Sequence, residues 1–273
     1  MSELQVLVAA MGQKDFSLTD KMNLRCDAVI ANQTDRNEVQ RLDAPWGRVD
    51  LISTTTRGVG KNRNIALLAS DAELLLFADD DMVYYDGTLQ GVKEAFRALP
   101  QADMIIFGVD ILRGGEITEK RHLKTRRLHL WNSMKYGTYA LAVRKTSLIR
   151  ANIWFHTGFG GGCVYGSGED SLLIRACLQK GLKIYSHSYV LGTCCKDVSS
   201  WFTGYHEKYF FDKGAMLSVG FPRSKCLMAV YLSVRFKKKT SVSVLRRYRL
   251  MLQGIKAART MTSYAQYTKG QEK

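Results

Sequence analysis

The chain has 273 residues, of which 46% are hydrophobic, 10% aromatic and 24% charged, with only three prolines. This composition suits one sizeable α/β domain with an extension, or two small domains, and excludes a low-complexity or largely disordered chain. No run approaches the ~18 uninterrupted apolar residues of a transmembrane helix, and the start lacks the basic segment of a signal peptide. We therefore expect a cytoplasmic protein. Its six cysteines form no CxxC pair, and we expect them to be reduced and to serve mostly as small buried apolar residues.

The net charge of +15 is concentrated at one end of the chain. From Arg223 onward the sequence has thirteen Lys and Arg and one acid, Glu272, whereas the first 222 residues are nearly neutral. Such a segment suits an anionic partner, either a membrane surface or a nucleic acid. No nucleic-acid-binding motif accompanies the charge, so we expect an anionic membrane surface and no nucleic acid.

Apolar runs alternate with amphipathic segments through the first two hundred residues. The pattern predicts strands at 4–11, 26–31, 49–54, 73–78, 104–109, 139–143 and 183–190, with helices at 61–70, 88–99 and 169–179. Repetition of strand, helix and strand predicts a mainly parallel sheet with helices on its faces. In such sheets ligands bind at the carboxyl ends of strands, so those positions are the first candidates for a site.

A shift in composition near residue 222 predicts a domain over 1–222 and a basic tail over 223–273. Within the tail, apolar residues recur at helical spacing at 244, 245, 248, 251, 252 and 255, and the opposite face carries Arg246, Arg249, Gln253 and Lys256. This pattern predicts a basic amphipathic helix. It is either an interfacial membrane segment or a solvated helix that packs on the main domain, and periodicity does not choose between them.

Three aspartates, Asp79, Asp80 and Asp81, directly follow an apolar predicted strand. Because alternate strand residues share a side, Asp79 and Asp81 are expected to point the same way. Two carboxylates so placed suit a hard divalent cation that leaves room for phosphate oxygens. The alternative is an acidic turn that caps the next helix.

A glycine-basic segment, TTTRGVGKNRN, precedes the aspartates by one helix. Gly58 and Gly60 permit close backbone approach, and Lys61 and Arg63 place positive charge at a helix start. Helix amino ends and guanidinium groups both suit a diphosphate. The GVG sequence alone is equally typical of a plain turn.

Glycines crowd the segment 158–168, just before Glu169 and Asp170 open a predicted helix. Acids at a helix amino end are favoured by the helix dipole, so capping alone explains them equally well. The glycines, however, are a poor choice for stability and suit a loop that lies close to a substrate. A carboxylate there could take a proton from an incoming hydroxyl.

These elements, in this order, resemble inverting family 2 glycosyltransferases of the GT-A fold, of the bacterial type that builds capsular, exopolysaccharide or lipopolysaccharide chains. The resemblance runs from the first strand to about Gly214. It is carried by Arg63-Asn64, the Asp79-x-Asp81 pair, Gly168-Glu169-Asp170 and the later WFTGYHEKYFFDKGA. It implies an α/β, Rossmann-like mixed sheet, mainly parallel and flanked by helices, with a C-terminal basic helical extension.

The resemblance also implies a metal-dependent transfer of a sugar from a nucleotide-sugar donor, a UDP-sugar, to a hydroxyl of a glycan or lipid-linked acceptor. Asp170 is then the general base and Glu169 orients the acceptor, or the two exchange roles. Asp81 and Asp79 hold Mn²⁺ or Mg²⁺. The expected donor-binding residues are Ala10, Asn32, Asp35, Lys61, Arg63, Asp79 and Asp80, and the acceptor candidates are Gly161, Gly162, Trp201 and His206.

Three questions stay open at this point. The first is whether a histidine, His187 or His206, completes the metal site. The second is whether the chain is instead a nucleic-acid- or membrane-binding protein with a non-catalytic domain of this fold. The third is whether the chain is instead a sugar nucleotidyltransferase. That enzyme needs a glycine-rich signature after the first strand, where AAMGQKD has one glycine. Transfer is therefore favoured, at the cytoplasmic face of the inner membrane.

Overall fold

The computed structural model describes residues 3–130, 132–133, 135–196, 204–237 and 239–270. The chain divides into two compact units. The first consists of 1–57, 61–155 and 173–198, and the second of 58–60, 156–172 and 199–273. The boundary predicted at 222/223 falls within the second unit.

A single sheet organises the first unit. Its strands are β1 (Leu4–Met11), β2 (Ala28–Gln33), β3 (Glu38–Ala44), β4 (Gly47–Thr54), β5 (Leu74–Asp79), β6 (Met82–Tyr84), β7 (Met104–Arg113), β8 (Glu116–Arg121), β9 (Arg126–Arg127), β10 (Leu141–Arg144) and β11 (Ile184–Cys195). The order across the sheet is β3-β4-β2-β1-β5-β10-β7-β11-β6, with β8 on β7 and β9 on β11. The central strands β4, β2, β1 and β5 run parallel, and β10 is antiparallel to both of its neighbours. The predicted mixed, Rossmann-like sheet is confirmed.

Helices cover both faces of this sheet. The five helices up to residue 179 are α1 (Ser17–Lys21), α2 (Val59–Ala69), α3 (Thr88–Ala98), α4 (Lys145–Ala151) and α5 (Glu169–Gln179). Side chains of β1 alternate between two apolar cores: Val6 and Val8 join the core that contains residues of α1 and α3, and Leu7 joins the other. That second core contains residues of α2, α4 and α5. Burial on both faces explains why the parallel strands are continuously apolar.

The second unit is mainly helical. Its later helices are α6 (Glu207–Gly220), α7 (Lys225–Arg235), α8 (Val244–Ala257) and α9 (Tyr264–Lys269). Helices α6 and α8 cross in backbone contact, because a Cβ at Gly254 would overlap the Phe211 carbonyl oxygen and one at Gly214 would overlap Met251. Of the two interpretations of the helix near 244–255, the structure favours packing: Met251 and Ile255 are buried.

None of the helices in the described ranges has both the length and the apolar character needed to cross a membrane.

Candidate active site

The carboxyl ends of three parallel strands bring predicted donor-binding residues together. The sheet register places Ala10 beside Asn32 and Ala9 beside Asp79. Asn32 is fully buried, accepts a hydrogen bond from the Gln13 N–H at 2.9 Å and donates to Ser53 Oγ at 2.9 Å. Its amide therefore fixes the loop after β1 at this edge of the sheet.

Helix α2 presents two further side chains to the same edge. Asn62 donates to the carbonyls of Ala31 at 2.7 Å and Ala10 at 3.2 Å, and its buried Oδ1 has no hydrogen-bond partner. Arg63, only 4% exposed, donates to Asp79 Oδ1 at 2.7 Å. Its guanidinium also lies 5.4 Å from the centre of the Phe155 ring. A buried charge-assisted pair of this kind holds the arginine beside the aspartates.

The other two donor candidates of this edge are exposed. Lys61 lies on the solvent side of α2. Asp35 follows β2, and the Thr34 hydroxyl that donates to it at 3.0 Å lowers the pKa of its carboxyl. Neither side chain is fixed at the sheet edge by buried hydrogen bonds, as the side chains of Asn32 and Arg63 are.

The three aspartates occupy the turn between β5 and β6. Asp79 is the last residue of β5, and Asp80 Oδ2 accepts from the Met11 N–H at 3.4 Å. The Oδ1 atom of Asp81 is buried without a hydrogen-bond partner. The Asp81 carbonyl accepts from the Cys195 N–H at 2.9 Å, so the end of β11 closes one side of the turn.

Crowding and loss of water disfavour negative charge on this turn. Burial raises the pKa of Asp81 to about 6, and the negative charge of Asp79 adds to the rise. Cys194 and Lys196 act in the opposite direction. The same two causes raise the pKa of Asp80. Carboxylates whose ionisation is this costly gain from a cation.

The aspartate turn suits a divalent cation that the protein holds only in part. Within the described ranges no group of three or more His, Cys, Asp and Glu could hold a metal ion. Mg²⁺, however, is commonly bound by one or two carboxylates together with substrate phosphates, and the unpartnered Asp81 oxygen is a suitable donor. His187 is not a candidate ligand: it lies on β11 seven residues before Cys194, against Phe107 with ring centroids 5.8 Å apart.

In the second unit, the glycine-rich segment forms a tight loop that a parallel bridge between Phe159 and Tyr165 closes. The Gly160 N–H donates to the Tyr165 carbonyl at 2.9 Å, and the Tyr165 N–H donates to the Gly158 carbonyl at 3.1 Å. The acceptor candidates Gly161 and Gly162 lie at its tip. Gly160 has φ of +99°, and a Cβ there would lie 2.7 Å from Cδ of Glu169. That Cβ would also lie 2.4 Å from Cγ1 of Val59, so the loop packs against Val59 and Glu169, and only glycine fits at that contact.

Glu169 and Asp170 form the first turn of α5 and are half-buried. Lys213 of α6 lies near both carboxylates: burial lowers the pKa of its ammonium, and the charges of Glu169, Asp170 and Asp212 act against that. Asp212 in turn accepts from the Gly166 N–H at 2.9 Å and pairs with Lys208. Lys213 is not among the residues predicted from the sequence, although a charged pair inside the apolar stretch YFFDKGAML is a signal for it.

The aromatic acceptor candidates are only partly described. Trp201 lies outside the described residues. His206 is the exposed N-cap of α6. Tyr205 and Tyr209, with ring centroids 5.0 Å apart, both pack on Phe236, at 5.1 and 5.7 Å. These two rings are thus part of helix packing.

A second acidic group lies on the sheet and was missed. Asp110 of β7 is buried, and it accepts from the Tyr85 hydroxyl at 3.0 Å and contacts His122 Nε2 at 2.9 Å. The register places Asp110 beside Thr193, which faces Val83 of β6. The basic segment 120–127 is largely exposed and is a loop only over 122–125, because Arg121 ends β8 and Arg126–Arg127 form β9.

The sheet order and the helical layers are those of the GT-A fold. Residues 28–154 match the family model described as glycosyl transferase family 2. This match covers just under half of the chain, and the enzyme class that it supports is a glycosyltransferase.

Solved structures agree with this fold. The chain resembles S. aureus TarS 1–349 in complex with UDP-GlcNAc, with TM-score 0.63 and 16% identity over 98% of this chain and 92% of that one. It is also similar to the same TarS segment in complex with UDP, with TM-score 0.61 and 15% identity over 100% and 92% of the two chains. A comparison with curated proteins gave no match.

Proposed function

We propose that the chain is a metal-dependent, inverting hexosyl- or N-acetylhexosaminyltransferase. It would move the sugar of a UDP-sugar to a hydroxyl of a glycan or lipid-linked acceptor during cell-surface polysaccharide synthesis. The observation that supports this most is the aspartate turn, where a buried Asp81 oxygen without a partner lies on the same sheet edge as the Arg63–Asp79 pair. The TarS structures in complex with UDP-GlcNAc and UDP support a uridine nucleotide as the donor.

In this proposal the edge of the sheet holds the donor nucleotide. Ala10 and Asn32 contact the base and ribose, with Asp35 at the rim of that pocket. Lys61 and Arg63 contact the diphosphate, and Asp79 and Asp80 contact the ribose or the metal. The guanidinium of Arg63 neutralises one carboxylate before the donor arrives, which lowers the repulsion that an incoming diphosphate meets.

Asp81, with Asp79, would hold Mn²⁺ or Mg²⁺. A bound divalent cation would stabilise the negative charge that builds on the departing nucleoside diphosphate. The chain's own contribution is a carboxyl whose charge is disfavoured by burial and by Asp79, since its pKa is raised to about 6. The ionised form that predominates near neutral pH therefore gains from a bound cation.

Asp170 takes the proton from the acceptor hydroxyl as that oxygen attacks the anomeric carbon, and Glu169 orients the acceptor. The attack comes from the side opposite the departing diphosphate, through an oxocarbenium-like state, so the anomeric centre inverts. No covalent enzyme intermediate is needed. The side chain of Lys213 lies near both carboxylates and is the cationic group of this part of the proposed site.

The stereochemistry of the product tests this mechanism. The full chain is incubated with a UDP-sugar, Mn²⁺ and an acceptor, and the anomeric configuration of the product is read by NMR coupling constants. An α-linked donor is expected to give a β-linked product. Retention of configuration would contradict the assignment of Asp170 as a base.

We further propose that the basic tail holds the chain on the anionic cytoplasmic face of the inner membrane, where lipid-linked acceptors are found. The excess of thirteen cations over one acid from Arg223 onward supports this location. The alternative is a basic membrane- or nucleic-acid-binding protein whose glycosyltransferase domain is not catalytic. Donor binding discriminates between the two, because only a transferase needs it.

A further inference from the structure

Helix α7 carries an apolar stripe that faces solvent. Leu227, Val230, Tyr231 and Val234 recur at the spacing of one helix face, and their exposed fractions are 71%, 47%, 49% and 57%. The residues that α7 buries are the small Ala229 and Ser233. A helix that packs in a globular fold normally buries its large apolar side chains. Helix α7 does the opposite, because it buries small residues and exposes large apolar ones.

Positive charge surrounds the stripe. Arg223 and Lys225 lie at the start of α7, and Arg235 and Lys237 lie at its end. The Arg235 guanidinium donates to the Tyr231 hydroxyl at 2.6 Å and lies 5.8 Å from the centre of that ring. The sequence has no acid between Arg223 and Glu272. The charged residues named here, on α7 and just beyond its ends, are therefore all cationic.

A groove of about 280 Å³ adjoins α7, and its lining is likewise both apolar and cationic. Its apolar wall includes Leu252 and Ile255 of α8. Three cations line it as well, namely Lys225, Lys256 and Arg259. Apolar lining next to several cations is the chemistry that accepts a lipid phosphate together with the start of its acyl chains.

Helix α8, by contrast, does not turn its apolar face to solvent, as the interpretation of it as an interfacial membrane segment requires. Its apolar residues Leu250, Met251 and Ile255 are buried. Of its apolar side chains only Leu245 is mostly exposed, at 57%. Of these two helices, α7 therefore presents the larger apolar face to solvent.

We infer that the solvent-facing stripe of α7, with the adjoining cationic groove, is the surface on which the chain docks to an anionic phospholipid bilayer. This inference rests on the membrane location proposed above and names the contact. The eleven-residue helix, about 16 Å long, lies in the plane of the interface. Its apolar side chains enter the acyl boundary while the cations remain at the phosphates. A second copy of the chain would present the same uncompensated cations, so charge disfavours it as the occupant.

Co-sedimentation with vesicles tests the inference at physiological salt. The full chain is titrated with phosphatidylglycerol-containing vesicles and with pure phosphatidylcholine vesicles. Leu227→Gln/Val234→Gln is expected to weaken binding to the anionic vesicles at least tenfold. The matched control, Leu68→Gln/Val39→Gln, removes two equally exposed aliphatic side chains of the first unit and is expected to stay within twofold of the parent.

Charge is tested separately. Lys225→Glu/Lys256→Glu is expected to lower binding to anionic vesicles at least tenfold and to leave the weak binding to phosphatidylcholine unchanged. Nucleotide binding by each variant, measured by calorimetry, serves as the test of folding. The single variant Leu227→Gln, expected to have an intermediate affinity, replaces the double variant if the latter does not fold.

The outcomes separate the two levels of the proposal. If the parent chain does not bind anionic vesicles, both the membrane location and the α7 contact are overturned, while the transferase proposal stands on nucleotide binding. If the parent binds and the α7 variants bind equally well, the α7 contact alone is overturned. A self-association of the parent that the α7 substitutions abolish, with lipid binding unchanged, would assign the stripe to a second copy instead.

Discussion

Substitution of Asp81 by Asn is expected to stabilise the metal-free protein near neutral pH. The pKa of the Asp81 carboxyl is raised from 3.8 to about 6, first by loss of water and then by the charge of Asp79. Folding therefore opposes ionisation of this group. Asparagine keeps the shape of the side chain and removes the charge.

The size and the pH window of the effect follow from linkage. Below pH 3.8 the carboxyl is protonated in both the folded and the unfolded chain and contributes nothing. Between pH 4 and 6 the unfolded chain releases the proton first, so stability falls as pH rises. Above pH 6 the loss is complete, at most about 3 kcal/mol from a shift of about two pKa units. Partial solvent exposure of the side chain lowers this to roughly 1–3 kcal/mol.

Thermal unfolding in chelator at pH 7.5 and pH 4 measures this effect. Asp81→Asn is expected to raise the Tm at pH 7.5 by several degrees, since about 1 kcal/mol shifts a domain of this size by roughly 2–4 °C. The gain should nearly vanish at pH 4. Asp43→Asn, on exposed strand β3, controls for the loss of one negative charge. A destabilised Asp81→Asn protein at pH 7.5, or a gain that does not depend on pH, would refute the reasoning.

Three further substitutions test the second unit. Asp170→Asn is expected to lower kcat by roughly 10²–10⁴-fold while the calorimetric Kd for the donor stays unchanged; equal kcat would exclude Asp170 as the base. Lys213→Met is expected to lower kcat, and Lys213→Arg to restore it in part, because the carboxylates near it then lose and regain a neighbouring cationic side chain. Gly160→Ala is expected to lower both Tm and kcat, since its Cβ would meet Val59 and Glu169. Gly181→Ala, at a similar positive φ with nothing within 4 Å, should lower the free energy of unfolding by only about 1–2 kcal/mol and leave kcat intact.

Much of the first unit could be predicted from the sequence because its signals are local. Strand β1 and helix α5 have the predicted bounds, since each is an apolar or amphipathic run with clear ends. Strand β11 extends five residues past the predicted end at 190. Its later residues form a strand only through pairing with β6 and β7, with register shifts that no local pattern records. Strand β3 was missed because it is a largely exposed edge strand in which Val39, Leu42 and Ala44 are interspersed with polar residues.

The site was predictable in part. The aspartate turn and Arg63 follow from position after a strand and at a helix start. Asn62 and Lys213 were missed because their importance depends on burial and on partners distant in sequence: Asn62 bridges two strand-end carbonyls, and Lys213 meets carboxylates more than forty residues earlier. Periodicity in the sequence also pointed to α8 rather than α7 as the membrane-binding helix. Only the structure shows that α8 covers its apolar face by packing on α6, whereas α7 leaves its apolar face exposed.

Calorimetric titration of UDP, and then GDP, CMP and dTDP, with and without Mn²⁺, tests the central claim most directly. We expect UDP to bind in the presence of Mn²⁺, with binding strongly weakened by chelator and by Asp81→Asn, and the other nucleotides to bind more weakly. If no nucleotide binds with or without the metal, the aspartate turn does not form a donor site, and the account of this chain as a nucleotide-sugar transferase is contradicted.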